Sequence, residues 1–365
     1  MLFNVQRDTL LKPLQTVTGI VEKRHTLPIL ANVLIEGSGN RLNFIATDLE
    51  IQIHTTVELE QSLDDFQLTV AARKLLDICR ALPDVPLSLE SSDSRLSLKS
   101  GKSKFALQTL PAADFPQLAQ SSESKCSFSL PQAILKERIS LVQFAMAQQD
   151  IRYYLNGLLL SLEGNVLNLV ATDGHRLSLA STMLAQNYDK TEVILPRKTV
   201  QELAKLLGDQ GDVKVDIGAN QVRFEFGNIV LSSKIVDGKF PDYNRVIPAR
   251  QDKFFNISRT SLQQALQRAA ILSNEKFKGV RLVLTTNSLG IICNNNEQEE
   301  AHEELEIPYS GGPLDIGFNV SYLLDVLANL SVDEVACSFG DASSSAMIMV
   351  PGQDDFKYVV MPMRI

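Results

Sequence analysis

A stretch of ten residues occurs twice in the chain, and this repetition constrains the fold more than any other feature of the sequence. The two segments are GNRLNFIATD (39–48) and GNVLNLVATD (164–173), which are identical at seven of ten positions and lie 125 residues apart. Solenoid repeats are about 20 to 50 residues long, so a period of this length indicates tandem domains instead. A chain of 365 residues is also too long for one ordinary hydrophobic core.

The similarity between the copies extends well beyond these ten residues, and a third, more divergent copy follows the second. The opening NVQRDTLLKPLQTVTGIV has the pattern of FSLPQAILKERISLVQFAM (128–146) and of FNISRTSLQQALQRAAIL (255–272). We therefore predict three domains of one fold, at 1–125, 126–249 and 250–365. The polar segments 120–127 and 248–253 are the predicted linkers.

Each copy contains the same series of predicted elements. A short strand leads into a helix with apolar residues at helical spacing, and two alternating strands joined by a glycine-containing turn follow. A further strand, a second helix and two or three closing strands complete the copy, in the order β-α-β-β-β-α-β-β-β. Directly joined strands indicate antiparallel sheets with helices on one face, an α+β architecture. The predicted helices span 8–20, 72–81, 131–147, 197–208, 259–272 and 320–330.

The composition is that of a globular cytoplasmic protein. Hydrophobic residues make up 44% of the chain and charged residues 21%, and no apolar run reaches the length of a membrane span. The N-terminus lacks the pattern of a signal peptide. Four scattered cysteines without CxxC spacing predict reduced thiols, with neither a disulfide framework nor a zinc site.

The charge of the chain is unevenly distributed. The net charge of −8 by itself argues against nucleic-acid binding, yet the six predicted helices together carry net positive charge. Helices on a common face would form a basic surface that meets phosphates without reading bases, although solvated helix surfaces also often carry lysine and arginine. The segment RLSLKSGKSK (95–104) is basic, whereas EQEEAHEELE (297–306) holds six glutamates. These opposite charges predict head-to-tail association, which closes into a ring if the rotation permits; a merely solvated acidic run is the alternative.

Several motifs along the whole chain resemble those of the bacterial DNA polymerase III beta subunits, the sliding clamp family. They include TLPAADFP (109–116), DIRYYLNG (150–157), ATDGHRL (171–177), VDGKFPDY (236–243) and YVVMPMRI (358–365). The resemblance implies three clamp domains, with sheets outside and two helices per domain inside, in a ring-shaped head-to-tail homodimer. It implies sequence-independent binding of double-stranded DNA. The implied protein partners are the replicative polymerase alpha subunit, an ATP-driven clamp loader and other proteins with clamp-binding peptides. No catalysis, cofactor or metal is implied.

The family binds partner peptides in a cleft between its second and third domains, and the resemblance extends to the residues of that cleft. The matching positions of the first pocket are Arg152, Tyr154, Leu155, Thr172, Gly174, His175, Arg176, Leu177, Pro241, Arg245 and Val246. Those of the second pocket are Phe277, Asn319, Tyr322, Ser345, Val359, Val360, Met361, Pro362, Met363 and Arg364. The aliphatic residues suit an apolar trough, the rings can flank a peptide side chain, and the arginines can hold acidic or carbonyl groups at the rim.

The family pattern also predicts residues for DNA and for the dimer interface. The predicted DNA contacts are Arg24, Arg73, Arg80, Gln149, Tyr153, Tyr154, Arg197 and Lys198. The predicted interface residues are Lys74, Phe105, Leu107, Ile271, Leu272, Glu297 and Glu300. In the third copy Ser321 and Tyr322 replace the Arg-Lys pair of the second helix, which suggests a role in the cleft rather than at phosphates.

Two alternative functions are weighed against this one. A hydrolase could use Asp173 and His175, but no GxSxG, HExxH or P-loop spacing accompanies them, and the first copy has Leu49 and Glu50 where the second has Gly174 and His175. A sequence-specific DNA-binding regulator would need a reading element such as a helix-turn-helix, which is not evident.

Overall fold

The computed structural model describes residues 2–22, 27–92, 94–119, 124–248 and 251–364. Six α-helices lie within these residues, two in each copy of the repeat. They are α1 (Arg7–Thr18), α2 (Ala72–Ala81), α3 (Gln132–Val142), α4 (Arg197–Leu206), α5 (Arg259–Ala270) and α6 (Val320–Asn329).

The strands of the three copies follow one plan. The first copy contains β1 (Leu2–Gln6), β2 (Asn32–Thr47), β3 (Ile51–Ala71), β4 (Pro86–Ser92), β5 (Arg95–Ser100) and β6 (Ser103–Leu110). The second contains β7 (Ser124–Pro131), β8 (Gly157–Thr172), β9 (Arg176–Pro196), β10 (Asp212–Gly218), β11 (Gln221–Phe226) and β12 (Ile229–Lys234). The third contains β13 (Lys253–Ser258), β14 (Gly279–Thr285), β15 (Ser288–Asn294), β16 (Glu300–Glu306), β17 (Leu314–Asn319), β18 (Glu334–Phe339), β19 (Ala346–Met349) and β20 (Phe356–Val360).

Helices form where apolar residues recur every three or four positions, and these residues are buried. In α1, Leu10, Leu14 and Val17 are completely buried on one face. The prediction for α3 was too long, because the helix ends at Val142 and a 3₁₀ turn follows at Gln143–Ala145. Met146, beyond this turn, is still only 4% exposed. The apolar periodicity therefore continued past the end of the helix.

The strand prediction was wrong in two respects. The two strands expected on either side of Gly39 belong to the single strand β2, whose pairing with β3 changes register between Gly37 and Arg41. Gly39 has a φ of 57°, which accommodates the irregularity without ending the strand. The predicted linker 120–127 also ends earlier than expected, because Ser124–Ser127 already lies in β7 and pairs with β10.

The chain forms two compact units. The first contains 1–135 and 201–235 and holds a ten-stranded antiparallel sheet, in the order β1-β4-β5-β6-β3-β12-β11-β10-β7, with β2 paired to β3. The second contains 136–200 and 236–365 and holds a six-stranded sheet, β13-β18-β19-β20-β9-β8, and a four-stranded sheet, β16-β15-β14-β17. The division into domains at 1–125, 126–249 and 250–365 stays a prediction.

Each large sheet joins strands from two copies of the repeat. In the first unit β3 of copy one pairs with β12 of copy two, from Ile51 opposite Ser233 to Thr55 opposite Ile229. In the second unit β9 of copy two pairs with β20 of copy three in the equivalent way. We call these two strand pairings the first seam and the second seam.

Candidate functional site

The motif ATDGHRL forms a tight turn between β8 and β9, built by two short polar side chains. Thr172 donates from its hydroxyl to the Arg176 carbonyl at 2.6 Å, and the Gly174 amide donates to the same hydroxyl at 3.1 Å. Oδ1 of Asp173 accepts from the amides of His175 (2.9 Å) and Arg176 (3.0 Å). Asp173 is therefore part of the scaffold of the turn.

The Arg176 side chain, only 9% exposed, points inward and connects this turn to α6. Its guanidinium donates to Asp173 at 3.1 Å, to Asp325 at 2.6 Å and to the Phe144 carbonyl at 2.8 Å. It also lies 4.4 Å from the centre of the Tyr322 ring, which is a cation–π distance. We expected Arg176 at the rim of the cleft, but its donors are committed within the protein.

The Arg152 guanidinium lies against Gly174 of the same turn and donates to the Asp173 carbonyl at 3.2 Å. A Cβ atom on Gly174, whose φ is 90°, would lie 2.9 Å from Nη1 of Arg152, so any other residue here would have to move this guanidinium. Arg152 in turn donates to both carboxylate oxygens of Asp150, at 3.0 and 2.8 Å. These hydrogen bonds lower the pKa of Asp150 from 3.8 to about 2.

A groove of about 230 Å³ opens beside this turn. Leu155, Leu177 and Val359 are buried in its floor, and Val246 is 42% exposed at its edge. The complete lining is Arg152, Tyr154, Leu155, Thr172, Gly174, His175, Arg176, Leu177, Phe240, Pro241, Tyr243, Val246, Val359 and Met361. An apolar trough with a few polar groups at its edge is typical of a site for a hydrophobic peptide or small molecule.

The C-terminal strand forms one wall of the groove. β20 pairs with β9 so that Val359 lies opposite Leu177, and the Met361 amide donates to the His175 carbonyl at 2.9 Å. The Tyr358 hydroxyl donates to the Tyr322 carbonyl at 2.9 Å and so attaches the strand to α6. Met361 itself is 45% exposed, which leaves a flexible apolar side chain for contact with a ligand.

Other residues of the predicted cleft do not line this groove. Tyr322 lies behind Arg176, and burial raises the pKa of its phenol. Asn319 caps α6 by accepting from the Ser321 amide at 2.9 Å. Val360 is fully buried, and Phe277 is 55% exposed. Arg245, Ser345, Pro362, Met363 and Arg364 are also outside the lining.

Two residues of the groove, Phe240 and Tyr243, were not predicted from the sequence. Both are more than 90% buried and belong to the hydrophobic cluster beneath the groove. They are part of the motif VDGKFPDY, so the signal was present in the sequence. Only the exposed Pro241 was selected from that motif.

The predicted DNA-binding residues differ in how available their side chains are. Arg197 is half-buried and donates to the Met146 carbonyl at 3.0 Å. Arg73 donates to the Val21 carbonyl at 2.6 Å. Each guanidinium is therefore held by a backbone carbonyl of the protein. Arg80 is exposed at the end of α2. Lys198 is half-buried, and Arg24 lies outside the described residues.

The loop before the 3₁₀ turn Tyr153–Leu155 holds the remaining predicted DNA contacts. Gln149 is exposed with a φ of 57°, and Tyr153 is 56% exposed. The rings of Tyr153 and Tyr154 meet edge to face, with 5.9 Å between their centres. Tyr154 thus lines the groove beside Gly174, while Tyr153 is exposed on the same 3₁₀ turn.

The predicted interface residues lie on two strand edges and one helix end. Phe105 and Leu107 are half-buried on one face of β6, and Lys74 is exposed on α2. Ile271, directly after α5, is 78% exposed, and Leu272 is half-buried. Glu300 is exposed at the start of the acidic strand β16, and Glu297 is exposed in the turn that precedes it.

The geometry does not support hydrolysis at Asp173 and His175. Asp173 accepts from two backbone amides and from Arg176, and no bond joins its carboxylate to the imidazole of His175. Among the described residues, no three His, Cys, Asp or Glu side chains are grouped to hold a metal ion. No helix in the described part of the chain has the length and apolarity needed to span a membrane.

Comparison with known proteins identifies relatives along the full length of the chain. Family models of the DNA polymerase III beta subunit match its N-terminal domain at residues 1–119, its central domain at 129–242 and its C-terminal domain at 244–364. The chain is 48% identical over 369 residues to the beta sliding clamp of Pseudomonas aeruginosa and 47% identical over 367 residues to that of Escherichia coli K12. All of this chain and all of each relative are covered.

Solved structures agree with these sequence relationships. The crystal structure of the DNA polymerase III subunit beta from P. aeruginosa matches with a TM-score of 0.97 at 48% identity. A P. aeruginosa sliding clamp bound to griselimycin also gives 0.97, and Caulobacter crescentus pol III beta gives 0.93 at 38% identity. In each case both chains are covered completely.

Proposed function

This chain belongs to the family of DNA polymerase III beta subunits, the beta sliding clamps, and we propose that two copies of it close into a ring around duplex DNA. The ring tethers the alpha subunit of the replicative polymerase, which docks a short peptide in the groove beside Gly174 and Met361. An ATP-driven loader opens the ring. The clamp is a non-catalytic accessory subunit, so its contribution is to keep the polymerase on the template.

The observation that carries the ring proposal is the repeated seam. At the first and second seams, the strand that follows the tight turn of one copy pairs with the last strand of the next copy. The corresponding strand of the third copy is β16, which pairs only with β15 among the described residues. The last strand of the first copy is β6, which reaches β3 only through Thr109 and Leu110. Among the described strands, one open edge of each kind therefore remains.

A second copy of the chain supplies both missing partners. When β16 of one subunit pairs with β6 of the other, the interface repeats the seam already present twice within each chain. Two such contacts close the ring, and no unpaired strand edge of this kind remains. The exposed end of α5 at Ile271 lies in the same copy as β16 and offers apolar surface to the contact.

The internal repeats also specify the register of this third seam. His54 faces Val230 at the first seam, and Leu179 faces Lys357 at the second. The equivalent residues at the open edges are His302 of β16 and Lys104 of β6. With these two opposite each other, Lys104 lies diagonally next to Glu300 and Glu304, which is a favourable cross-strand arrangement of charge.

A disulfide test checks this register. Lys104→Cys combined with His302→Cys places two cysteines directly opposite each other, at Cβ distances of about 4.5–5.5 Å. We expect oxidation to give a covalent dimer on a denaturing gel. The matched control, Lys104→Cys with Glu306→Cys, moves one cysteine four residues along the strand and should remain monomeric on the gel. Equal cross-linking of both variants would refute the register.

The proposed contacts with DNA lie mainly on the helices, which carry net positive charge. The exposed Arg80 of α2 and the polar loop at Gln149 can make exchangeable contacts with phosphates. Such contacts permit sliding because they do not depend on base sequence.

The functional test uses DNA topology. Protein placed on a closed circular duplex by a clamp loader should remain bound through gel filtration and should be lost when the circle is cut once with a restriction enzyme. Light scattering should give twice the chain mass of 40.3 kDa. A monomer that leaves circular and linear DNA equally fast would contradict the proposed function.

A further inference from the structure

A second groove lies at the first seam, between α1 and β3, and is separate from the peptide groove. Its volume is about 600 Å³. Hydroxyls, carboxylates, one amine and one amide surround a small apolar patch. The lining residues are Asp8, Thr9, Lys12, Pro13, Thr16, Thr55, Thr56, Val57, Glu58 and Asn228.

At the second seam, an arginine occupies the equivalent place. The repeat aligns Pro13 with Arg138 and Asn228 with Asp355. Arg138 is 13% exposed, and its Nη1 atom lies 2.9 Å from the Asp355 carboxylate. At the first seam, proline and asparagine leave no such pair, and the space between helix and seam is open.

The third copy also places an arginine beside its seam strand. Arg268 of α5 aligns with Thr16, and it donates at 2.9 Å to Glu303, which aligns with Thr55. In copies two and three an arginine of the first helix therefore forms an ion pair with a carboxylate at or beside the seam, although the two arginines occupy different helix positions. Copy one has no arginine at either helix position, because Pro13 and Thr16 stand there.

Two oxygen atoms of residues that line the groove each lack one hydrogen bond within the protein. Pro13 has no N–H group, so the Thr9 carbonyl receives no helical hydrogen bond from it. Thr55 is 1% exposed, and its hydroxyl has no hydrogen-bond partner. A buried polar atom without a partner is unfavourable and is usually satisfied by a bound group.

The charges around the groove favour a cation. Glu58 is exposed and forms no ion pair within the described residues, and Asp8 shares one carboxylate oxygen with Arg7. Lys12, on the exposed side of α1, is the opposing charge, so the two carboxylates leave the lining net negative.

We propose that this groove binds the guanidinium of an arginine side chain presented by a partner polypeptide. Arginine suits the site better than lysine, because its planar fork of five donors can reach several separate acceptors at once. The inference rests on the comparison of seams within the chain and does not depend on the clamp function.

The test compares three small probes of the same shape class: N-acetyl-arginine amide, N-acetyl-lysine amide and N-acetyl-citrulline amide. Binding to the full-length protein is measured by saturation-transfer difference NMR and by the shift in melting temperature. We expect the arginine probe to bind at least fivefold more tightly than the other two. Glu58→Gln should weaken its binding about threefold, as for a solvent-exposed ion pair.

A groove-filling variant gives the decisive control. Pro13→Arg with Asn228→Asp reproduces at the first seam the ion pair of the second, and it should abolish binding of the arginine probe while the protein stays folded. Equal binding of the three probes, or unchanged binding in the filled variant, would overturn the proposal. Thr55→Val, which keeps the side-chain shape, should weaken binding, and full affinity in that variant would also count against it.

Discussion

Two turns in this chain share one backbone design and differ in what surrounds them. In copy one the Thr47 hydroxyl donates to the Ile51 carbonyl at 2.9 Å, and Oδ1 of Asp48 accepts from the amides of Glu50 (2.9 Å) and Ile51 (2.8 Å). The turn of copy two repeats each of these hydrogen bonds with Thr172 and Asp173.

The residues that differ explain why only the second turn borders a ligand groove. Copy one has Leu49 at a φ of 77°, a strained position for leucine, whereas copy two has Gly174 and so admits the Arg152 guanidinium. Copy one has Ile51, which is 1% exposed in the core, whereas copy two has Arg176 bonded to α6. The threonine and aspartate determine the backbone shape of both turns. The three residues that follow, Gly174, His175 and Arg176 in copy two, determine which side chains surround the turn.

The largest effect is expected from Arg176→Ala. This change leaves Asp173 and Asp325 without their cation and removes the stacking on Tyr322, so unfolding should become easier by about 3 kcal/mol, as for a broken buried ion pair. Partner-peptide binding should be lost as well, because the wall of the groove loses its support. Ile51→Val is the matched change in copy one and should cost about 1 kcal/mol without altering peptide binding. Chemical denaturation measures both, and a loss of less than 1 kcal/mol in Arg176→Ala would contradict the inward role of this side chain.

Gly174→Ala should have the next largest effect. Alanine at this position would have to adopt a left-handed backbone conformation, at a cost of about 1–2 kcal/mol. Its Cβ atom would also displace the Arg152 guanidinium from the turn. We expect peptide affinity to fall about tenfold in a fluorescence anisotropy titration.

The reciprocal change in copy one gives the control. Leu49→Gly should relieve strain and stabilise the protein by about 0.5 kcal/mol, because the relief exceeds the added entropy of the unfolded chain. If Gly174→Ala binds peptide normally, the close approach of Arg152 is not required.

His175→Ala should have a smaller effect, confined to binding. The imidazole is exposed at the edge of the groove and makes no side-chain hydrogen bond to Asp173, so stability should change by less than about 0.5 kcal/mol. Peptide affinity should fall a few-fold, with the dimer unchanged in light scattering. Glu50→Ala occupies the equivalent position of copy one and should leave affinity unaltered. Equal peptide affinity in wild type and His175→Ala would remove His175 from the site.

The smallest effect is a pH dependence at Asp150. Its pKa of about 2 lies below the ordinary 3.8, chiefly because of the hydrogen bonds from Arg152. A carboxyl whose folded pKa is lowered contributes stability above its unfolded pKa, and this contribution is lost as the pH falls from about 4 to about 2. The Arg152–Asp150 contact should therefore persist at pH 4. An NMR titration of Asp150 that gives an ordinary value would contradict the bidentate contact.

Many features of this structure could be predicted from the sequence, because they are repeated or periodic along the chain. The internal repeat predicted one fold in three copies. The apolar periodicity placed all six helices within a few residues of their observed ends, apart from the C-terminal end of α3.

Other features depended on three-dimensional contacts that periodicity does not encode. Two arginine side chains point in a direction that differs from the prediction. Arg176 turns inward to Asp325, and Arg197 donates to the Met146 carbonyl. The resemblance to the family predicted Arg176 at the rim of the cleft and Arg197 as a DNA contact, and it does not encode the direction of either side chain. Phe240 and Tyr243 were missed because buried aromatic residues suggest core, and their position beneath a groove is visible only after folding.

The most direct test of the central claim exchanges the surface of one turn for that of the other. The triple variant Gly174→Leu, His175→Glu and Arg176→Ile gives copy two the residues of copy one while Thr172 and Asp173 still shape the turn. Its affinity for a peptide from the polymerase alpha subunit is measured by fluorescence anisotropy, beside a control with Leu49→Gly and Glu50→His. We predict that the triple variant remains a dimer and loses peptide binding, while the control binds like the wild type. Unchanged affinity in the triple variant would contradict the assignment of this turn to the partner-binding groove.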